Sequence, residues 1–180
     1  MYRIGLSDIF ACKLDSEAYS FLPQYLSMVE WWMAHGRASA QKFSNFTSFR
    51  NQFYSEWKVD WRGYNSQHAQ TSCLFALRAL NSEVKSKEAL TNRFAIISPV
   101  SVKIEGKKFI FVTRNAKKAH VELVPKSVAQ GVLLDQVQNM YWKIGQVFLT
   151  PKWCNIPFTR DLDLTKENDP TLIEYLKYNL

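Results

Sequence analysis

Apolar and polar residues alternate at the start of the chain and again after residue 93, and between these regions apolar residues recur every three or four positions. At the start, apolar side chains occupy positions 2, 4 and 6 and then 10, 12 and 14, with an interruption at Ser7-Asp8. A period of two is typical of a strand, and such an interruption is typical of a bulge or a bend. The pattern therefore predicts a strand over residues 1–14.

The first helix is predicted directly after this strand. Asp15 or Ser16 can cap it, and apolar residues then recur at spacings of three and four from position 21 to position 33. Pro23 moves the expected start toward Phe21, and Gly36 is a natural end for the helix.

Two more helices are predicted before residue 93. The second carries aromatic residues at positions 46, 49, 53 and 57, which lie on one helical face. The third is capped by Asn65 or Ser66, and its apolar face runs from Ala69 to Val84.

The pattern changes to β-structure at residue 94. Two alternating runs, 100–104 and 109–112, flank a turn with Gly106 and predict a hairpin. Residues 119–124 predict a further strand, and residues 142–149 and 153–158 predict a second hairpin. The stretch between Pro125 and Trp142 is less regular, and a short helix is expected to begin at Asp169-Pro170.

This order of elements predicts an α+β fold. A single edge strand cannot stand alone, so residues 1–14 are expected to join the later sheet and to close it toward a barrel. Residues 1–14 and 94–160 then form the β-barrel, residues 15–93 are a helical insertion, and residues 161–180 are an acidic C-terminal tail with a short helix.

The composition is that of a folded protein. The 180 residues are 47% hydrophobic and 22% charged, which excludes a disordered chain. No apolar run has the length of a membrane span, and the N-terminus lacks the apolar core of a signal peptide. The three cysteines lie far apart, which disfavours a disulfide framework or a cysteine-based zinc site and favours a reducing cytoplasm.

The net charge of +7 comes mainly from the β region. Residues 94–160 contain ten basic and three acidic side chains, whereas residues 15–93 contain nine and seven. Lys107-Lys108 and the segment 114–118 flank one predicted strand at its two ends and so bracket a surface. Such a surface favours a polyanion as ligand. Lysines at strand edges also prevent edge pairing, so the charge alone leaves both interpretations open.

The aromatic residues of the second helix also allow two interpretations. They can stack on unpaired bases, since Arg50, Lys58 and Arg62 lie close in sequence. They can instead form core, which is the commoner outcome for aromatic residues at helical spacing. Trp57 and Trp61, beside Lys58 and Arg62, are the better stacking candidates.

The sequence contains no catalytic constellation. Cys154 and His120 can meet on a sheet, but no spacing selects this pair as nucleophile and base. Asp161 and Asp163 present two carboxylates on one face of an extended segment, without a third acidic partner. Neither a GxxxxGK[ST] phosphate loop nor an HExxH zinc motif occurs. We therefore predict no enzyme activity, no cofactor and no metal site.

Several short motifs carry a resemblance to a known family. NSQHAQ at residues 65–70 opens a helix that contains ALRA at residues 76–79, and Pro99, Val102 and Ile104 follow. WKIGQVFLT at residues 142–150 is followed by IPF at residues 156–158. With these motifs the chain resembles, over most of residues 1–160, the N-terminal half of the transposon-encoded TnpB (OrfB) proteins. Those proteins are RNA-guided DNA nucleases ancestral to the type V CRISPR effectors.

The resemblance implies an OB-like wedge β-barrel split by a helical recognition insertion. It implies that the barrel grips the scaffold of a guide RNA and that the helices contact the guide–target duplex, while base pairing reads the sequence. The RNA-binding residues expected on this basis are Lys103, Lys107, Lys108, Arg114, Lys117, Lys118 and Lys143. The expected duplex- or target-binding residues are Arg50, Trp57, Lys58, Trp61, Arg62 and Arg78.

The chain departs from that family after the predicted barrel. The family continues into a RuvC-type nuclease domain that begins with a catalytic Asp beside glycines, whereas Asp161 and Asp163 lie near that position without the glycines. We therefore expect a non-catalytic nucleic-acid-binding subunit or fragment of a ribonucleoprotein. Its expected partners are a guide RNA, a target DNA and a separate nuclease subunit bound through residues 161–180.

Two other functions stay open. A protein-interaction scaffold would dock a partner through the amphipathic part of its tail, residues 172–176, and its basic surface would be incidental. A small enzyme would use Cys154 or the pair of Asp161 and Asp163.

Overall fold

The computed structural model describes residues 2–39, 41–82, 94–138 and 142–162. Four helices and eight strands are formed by these residues. In chain order they are β1 (Tyr2–Leu14), α1 (Ser16–Ala38), α2 (Phe46–Asp60), α3 (Ser66–Asn81), β2 (Ala95–Ile97), β3 (Val102–Glu105), β4 (Lys108–Val112), β5 (Lys118–Val124), α4 (Val128–Gln138), β6 (Lys143–Ile144), β7 (Val147–Leu149) and β8 (Trp153–Leu162). The mixed α+β class is therefore confirmed.

The N-terminal caps of the first three helices explain where each helix begins. The Asp15 carboxylate accepts a hydrogen bond from the backbone N–H of Ala18 at 2.7 Å. The side-chain oxygens of Asn45 and Asn65 each accept from two backbone N–H groups in the first turn of α2 and α3. These bonds satisfy donors that lack a partner inside the helix, so the predicted caps at Asp15 and Asn65 are confirmed.

Two predictions about α1 are wrong. The helix begins at Ser16 and passes through both Pro23 and Gly36 before it ends at Ala38. Pro23 is tolerated on the exposed side of the helix, since Tyr19, whose carbonyl loses its helical partner, is exposed as well. At Gly36 a Cβ would come within 2.6 Å of Leu80 on α3, so this glycine permits close helix packing and does not end the helix.

All strand pairs are antiparallel, and β1 lies inside the sheet. The hydrogen-bonded order is β2–β7–β8–β1–β5–β4–β3, with β6 beside β8. Residues 2–11 of β1 pair with β8, and residues 11–14 pair with β5. The prediction that the first strand joins the later sheet is therefore confirmed.

The sheet is not closed, so the predicted barrel is not formed by the described residues. Strand β2 lies at one edge and β3 at the other, and these two strands do not pair. Helix α3 packs beside β2, and α4 packs beside β3, where the backbone N–H of Gly106 donates to the side-chain oxygen of Gln138 at 2.9 Å. The edge strands β2 and β3 are therefore covered by helices and do not pair with each other.

The helices and the sheet share one hydrophobic core. Phe21 of α1 contacts Phe111 of β4 edge-to-face, with ring centroids 5.3 Å apart. Residues 15–93 lie between β1 and β2 in the chain, but the described part of this segment has no core of its own that is separate from the sheet. The division into a wedge part and a recognition part stays a prediction.

Helix α4 was not predicted, because polar residues occupy part of its buried face. The Gln130 amide nitrogen donates to the Asp8 carboxylate at 2.8 Å and to the Ile9 carbonyl at 3.2 Å. The Gln136 side-chain oxygen accepts from the Trp142 indole nitrogen at 2.8 Å. Because these buried positions hold glutamine, the apolar residues do not recur at the helical spacing from which a helix is predicted. The short helix predicted from Asp169 lies outside the described residues.

Candidate nucleic-acid interface

The outer face of strands β3 to β5 carries three of the predicted RNA-binding lysines. Phe109, Phe111 and Val121 point into the core, so residues that alternate with them point outward. The outward lysines are Lys103, Lys108 and Lys118, and all three are exposed. Lys107 lies in the turn between β3 and β4 and is also exposed.

Glutamates interrupt the positive charge on this outer face. The register places Glu105, Lys108, Glu122 and Lys13 side by side across four strands, so that the sign of the charge alternates. Lys103 Nζ lies 2.6 Å from Glu105 Oε1, and this contact lowers the pKa of the glutamate. Lys108 lies between Glu105 and Glu122 of the neighbouring strands, and opposite charges across strands stabilise a sheet. Lys103 contacts Glu105 on its own strand, so both lysines have a structural role that needs no ligand.

Lys143 lies apart from the other predicted RNA-binding residues. It belongs to β6, which pairs with the far end of β8. Its Nζ atom lies 3.2 Å from a carboxylate oxygen of Asp161. The structure therefore does not bring Lys143 together with the β4–β5 turn.

Arg114 and Lys117, the other two predicted RNA-binding residues, lie in the β4–β5 turn. The α2–α3 loop contacts this turn. Arg114 donates from Nε to the backbone carbonyl of Arg62 at 3.1 Å, and its guanidinium lies 5.8 Å from the ring centroid of Tyr64. The backbone N–H of Asn115 donates to the carbonyl of Gly63 at 2.7 Å. These contacts bring two segments of the chain together, and we call the four cations that the segments carry, Arg62, Arg114, Lys117 and Lys118, the basic junction.

Unusual backbone conformations hold the basic junction together. Gly63 has a φ of +95°, and Asn115 and Ala116 have φ values of +55° and +58°. A Cβ at Gly63 would collide with the Asn115 side-chain oxygen. Only glycine therefore allows the α2–α3 loop to approach the β4–β5 turn this closely.

The carboxylates nearest the junction are already engaged. Glu17 accepts a hydrogen bond from Thr113 Oγ1 at 2.6 Å and lies 3.9 Å from Lys117 Nζ. Asp15 accepts from the backbone N–H groups of Ala18 and His120. Arg62 is exposed and forms no ion pair with the residues that the structure describes. The charge of Lys118 contributes to the lowered pKa of Glu105 on the outer face. Glu17 and Glu105 therefore offset part of the charge of the four cations, and the junction keeps a net positive charge.

A neutral histidine lies beneath the junction. His68 is 2% exposed, and its ring packs on Phe21 at 5.1 Å and on Tyr64 at 5.7 Å between centroids. Burial lowers the pKa of His68 to about 4. Since the imidazole carries no charge near neutral pH, the side chains packed beneath the cations are uncharged.

The expectation that Trp57 stacks on nucleic acid is wrong. Trp57 is 1% exposed and packs face-to-face with Trp32 of α1, with centroids 6.4 Å apart. The aromatic stripe of α2 is therefore core, because it covers α1. Trp61 is half-buried, and its ring lies 6.0 Å from that of Tyr64 at the rim of the basic junction.

The other predicted duplex-binding residues lie at three separate places. Arg50 is half-buried, with its guanidinium 4.1 Å from the centroid of the Tyr54 ring, and Lys58 Nζ lies 5.2 Å from the same ring. Arg78 is exposed in the last turn of α3. Only Arg62 of this set joins a described cation of the RNA-binding set through a direct contact.

Sequence reasoning missed Tyr54, Tyr64 and the pairing of Gly63 with Asn115. Tyr54 follows Arg50 and precedes Lys58 by four residues each, a helical spacing that places all three side chains on one face. This spacing in the sequence was therefore sufficient to predict the cluster of Arg50, Tyr54 and Lys58. The contact between Arg62 and Arg114 joins residues 52 apart in the chain, and no local pattern indicates it.

The residues of the enzyme alternative are not assembled by the structure. Cys154 is fully buried on the inner face of the sheet, where burial raises the pKa of its thiol, whereas His120 is exposed on the outer face. Asp161 is ion-paired with Lys143, and Asp163 lies outside the described residues. Within the described ranges, no three His, Cys, Asp or Glu side chains are grouped as metal ligands would be.

No protein-family model matches the chain, and no curated protein matches it at a significant level. None of the helices over the described residues combines the length and apolar character of a bilayer-crossing segment.

Proposed function

We propose that this chain is a non-catalytic nucleic-acid-binding subunit or fragment of an RNA-guided, DNA-targeting ribonucleoprotein, and that it binds the guide RNA scaffold at the basic junction. The observation that carries the proposal is the contact between Arg114 and Arg62. This contact joins the side chain of one residue expected to bind RNA to the backbone of one residue expected to bind the guide–target duplex. The proposal also draws on the resemblance of residues 1–160 to TnpB proteins.

The chemistry of the basic junction suits a phosphate backbone. The two segments that meet at the loop–turn contact carry two arginines and two lysines, and arginine binds phosphate oxygens through paired N–H donors. The backbone hydrogen bond from Asn115 to Gly63 fixes the distance between the two cation-bearing segments before any ligand binds. A fixed arrangement of this kind loses little conformational entropy on binding.

In this proposal the sheet corresponds to the family's wedge domain and α1 to α3 correspond to its recognition insertion. The chain order of one strand, three helices and then seven strands, with α4 between β5 and β6, supports this correspondence. The protein acts in the cytoplasm, and a separate RuvC-type nuclease binds through residues 161–180.

A salt series with a structured RNA tests this function. We expect the logarithm of the association constant to fall steeply and linearly with the logarithm of salt concentration, because lysines and arginines that contact phosphates release counterions. A flat dependence, or no binding, would contradict the proposed function.

A matched pair of charge reversals tests the location. Arg62→Glu is expected to weaken binding about tenfold and to lower the steepness of the salt dependence by about one phosphate contact. Lys42→Glu changes the charge equally at an exposed position between α1 and α2, and is expected to leave affinity within about twofold of the unaltered protein. Equal losses in both variants would show that net charge, and not the basic junction, determines binding. Circular dichroism checks that both variants fold.

A further inference from the structure

Trp153 differs from every other tryptophan of the chain in its exposure. All six tryptophans lie within the described ranges, and five of them are buried or half-buried. Trp153, at the start of β8, is 40% exposed. Its ring makes no contact with another aromatic ring of the described residues. Single exposed apolar side chains are common on protein surfaces, so the surroundings of Trp153 decide whether its exposure has a function.

The surface around Trp153 is apolar and lies on the outer face of the sheet. Ala11 of β1 pairs with Trp153 on one side and with Val124 of β5 on the other, so the three side chains form one row. Val124 is 37% exposed, and Ile9, two residues before Ala11 on the same face, is 52% exposed. The indole ring of Trp153 therefore borders exposed apolar side chains on the outer face of the sheet.

Three lysines lie near this apolar row in the sequence or in the strand register. Lys152 precedes Trp153 in the β7–β8 turn, and Lys13 follows Ala11 by two residues on the same face. Lys126 follows β5, and its backbone N–H is bonded to Gln130, whose amide is bonded in turn to the Ile9 carbonyl. All three lysines are exposed. Glu122 lies opposite Lys13, and Glu105 lies two strands further along the same face.

The backbone beneath Trp153 is fixed by hydrogen bonds. Thr150 closes the turn, since its N–H donates to the Trp153 carbonyl at 2.9 Å and its hydroxyl accepts from the Trp153 N–H at 3.0 Å. The N–H of Cys12 donates to the Lys152 carbonyl at 3.1 Å, which ties the turn to β1. The backbone positions of Lys152 and Trp153 are therefore set before a ligand arrives.

We propose that Trp153 is a stacking platform for an unpaired base of single-stranded nucleic acid, with Lys13, Lys126 and Lys152 around the adjoining phosphates. An exposed aromatic ring next to cations is the arrangement with which proteins bind single strands, because every base has a face that can stack and every linkage carries a charge. The excess of lysine favours this ligand over an apolar protein segment. The inference rests on the proposed function and adds a second site, separate from the basic junction, that selects unpaired nucleotides.

The test compares an unstructured oligouridine with a blunt RNA duplex. Trp153→Ala is expected to weaken oligouridine binding about tenfold or more, because stacking on one aromatic side chain contributes about 1–3 kcal/mol per base. The affinity for the duplex is expected to stay unchanged. Trp153→Phe retains a ring and is expected to keep most of the affinity, while the quenching of tryptophan fluorescence by oligouridine is lost. Val59→Ala removes apolar surface from a 74% exposed position on α2 and serves as the control.

Each outcome separates the two proposals. If the unaltered protein binds neither RNA, the proposed function fails and the platform fails with it. If it binds both RNAs and Trp153→Ala binds oligouridine equally well, the platform is overturned and the proposed function stands. If the unaltered protein self-associates in solution and Trp153→Ala does not, the row is a protein interface and the platform is likewise overturned.

Discussion

Gly63 and Asn115 hold the α2–α3 loop against the β4–β5 turn through backbone conformations that few side chains adopt. The φ values are +95° at Gly63 and +55° at Asn115. Asparagine tolerates this region, but a residue with a Cβ at position 63 would also strike the Asn115 side chain. The cations of the basic junction therefore depend on two uncharged residues for their positions.

Gly63→Ala is expected to destabilise the protein by about 2 kcal/mol, through backbone strain and the collision with Asn115. Gly131→Ala is the control, since Gly131 lies in α4 with open space around it, and alanine there is expected to stabilise by about 0.5–1 kcal/mol. Urea denaturation measures both free energies of unfolding. A Gly63→Ala variant as stable as the unaltered protein would contradict the close approach described here.

His68 makes stability depend on pH. Its folded-state pKa of about 4 lies below the ordinary histidine value of 6.5, so the unfolded chain binds the proton more readily. This contribution to stability is complete above pH 6.5 and is lost as the pH falls toward 4. We expect a loss of about 2 kcal/mol by pH 5, and His68→Leu is expected to remove that part of the decline. Equal slopes of unfolding free energy against pH in both proteins would contradict this role.

Residue types alone predicted some of these details and missed others. The caps at Asp15 and Asn65 were predictable because a cap bonds to groups within three residues of itself. The burial of Trp57 was not predictable in this way, because an aromatic stripe has the same sequence pattern whether it faces a base or a second helix. The contact of Gly63 with Asn115 depends on tertiary structure, so no spacing in the sequence indicates it.

At the scale of elements, the strands β3, β4 and β5 show that a lysine-rich sheet need not be a uniformly positive surface. The register sets Lys108 between Glu105 and Glu122, and Lys13 follows on β1. Such alternation stabilises the pairing of strands. It divides the predicted RNA-binding lysines into those with partners in the sheet and those at the β4–β5 turn.

Lys108→Glu tests this division, because it places three carboxylates in one row across the strands. We expect a destabilisation of about 1 kcal/mol that shrinks as salt screens the repulsion. Lys107→Glu makes the same charge change one residue earlier, in the turn and outside the row, and is expected to be nearly neutral. Thermal unfolding at low and high salt measures both, and identical effects would count against the alternating row.

Elements with a regular period were predicted well. The hairpin of β3 and β4 and the helices α2 and α3 follow patterns that burial enforces, and the structure confirms them. Helix α4 was missed because Gln130 and Gln136 occupy buried positions, and the end of α1 was misplaced because Gly36 serves the packing against Leu80.

At the scale of the whole molecule, strand order is the property that the sequence left undetermined. The prediction that β1 joins the sheet required only that a lone strand finds a partner. Its position between β8 and β5, and the cover that α3 and α4 give to the edge strands, depend on contacts between distant segments. The same long-range packing brings α2 and its loop to the β4–β5 turn and so creates the basic junction.

The most direct test of this account is ultraviolet cross-linking of the purified chain to the RNA that copurifies with it, followed by mass spectrometry of the cross-linked peptides. Trp61 and Tyr64 lie at the rim of the basic junction, beside Arg114. We predict cross-links in the peptides that contain residues 61–64 and 114–118. Cross-links confined to other surfaces, or their absence from both peptides, would contradict the claim that this junction binds RNA.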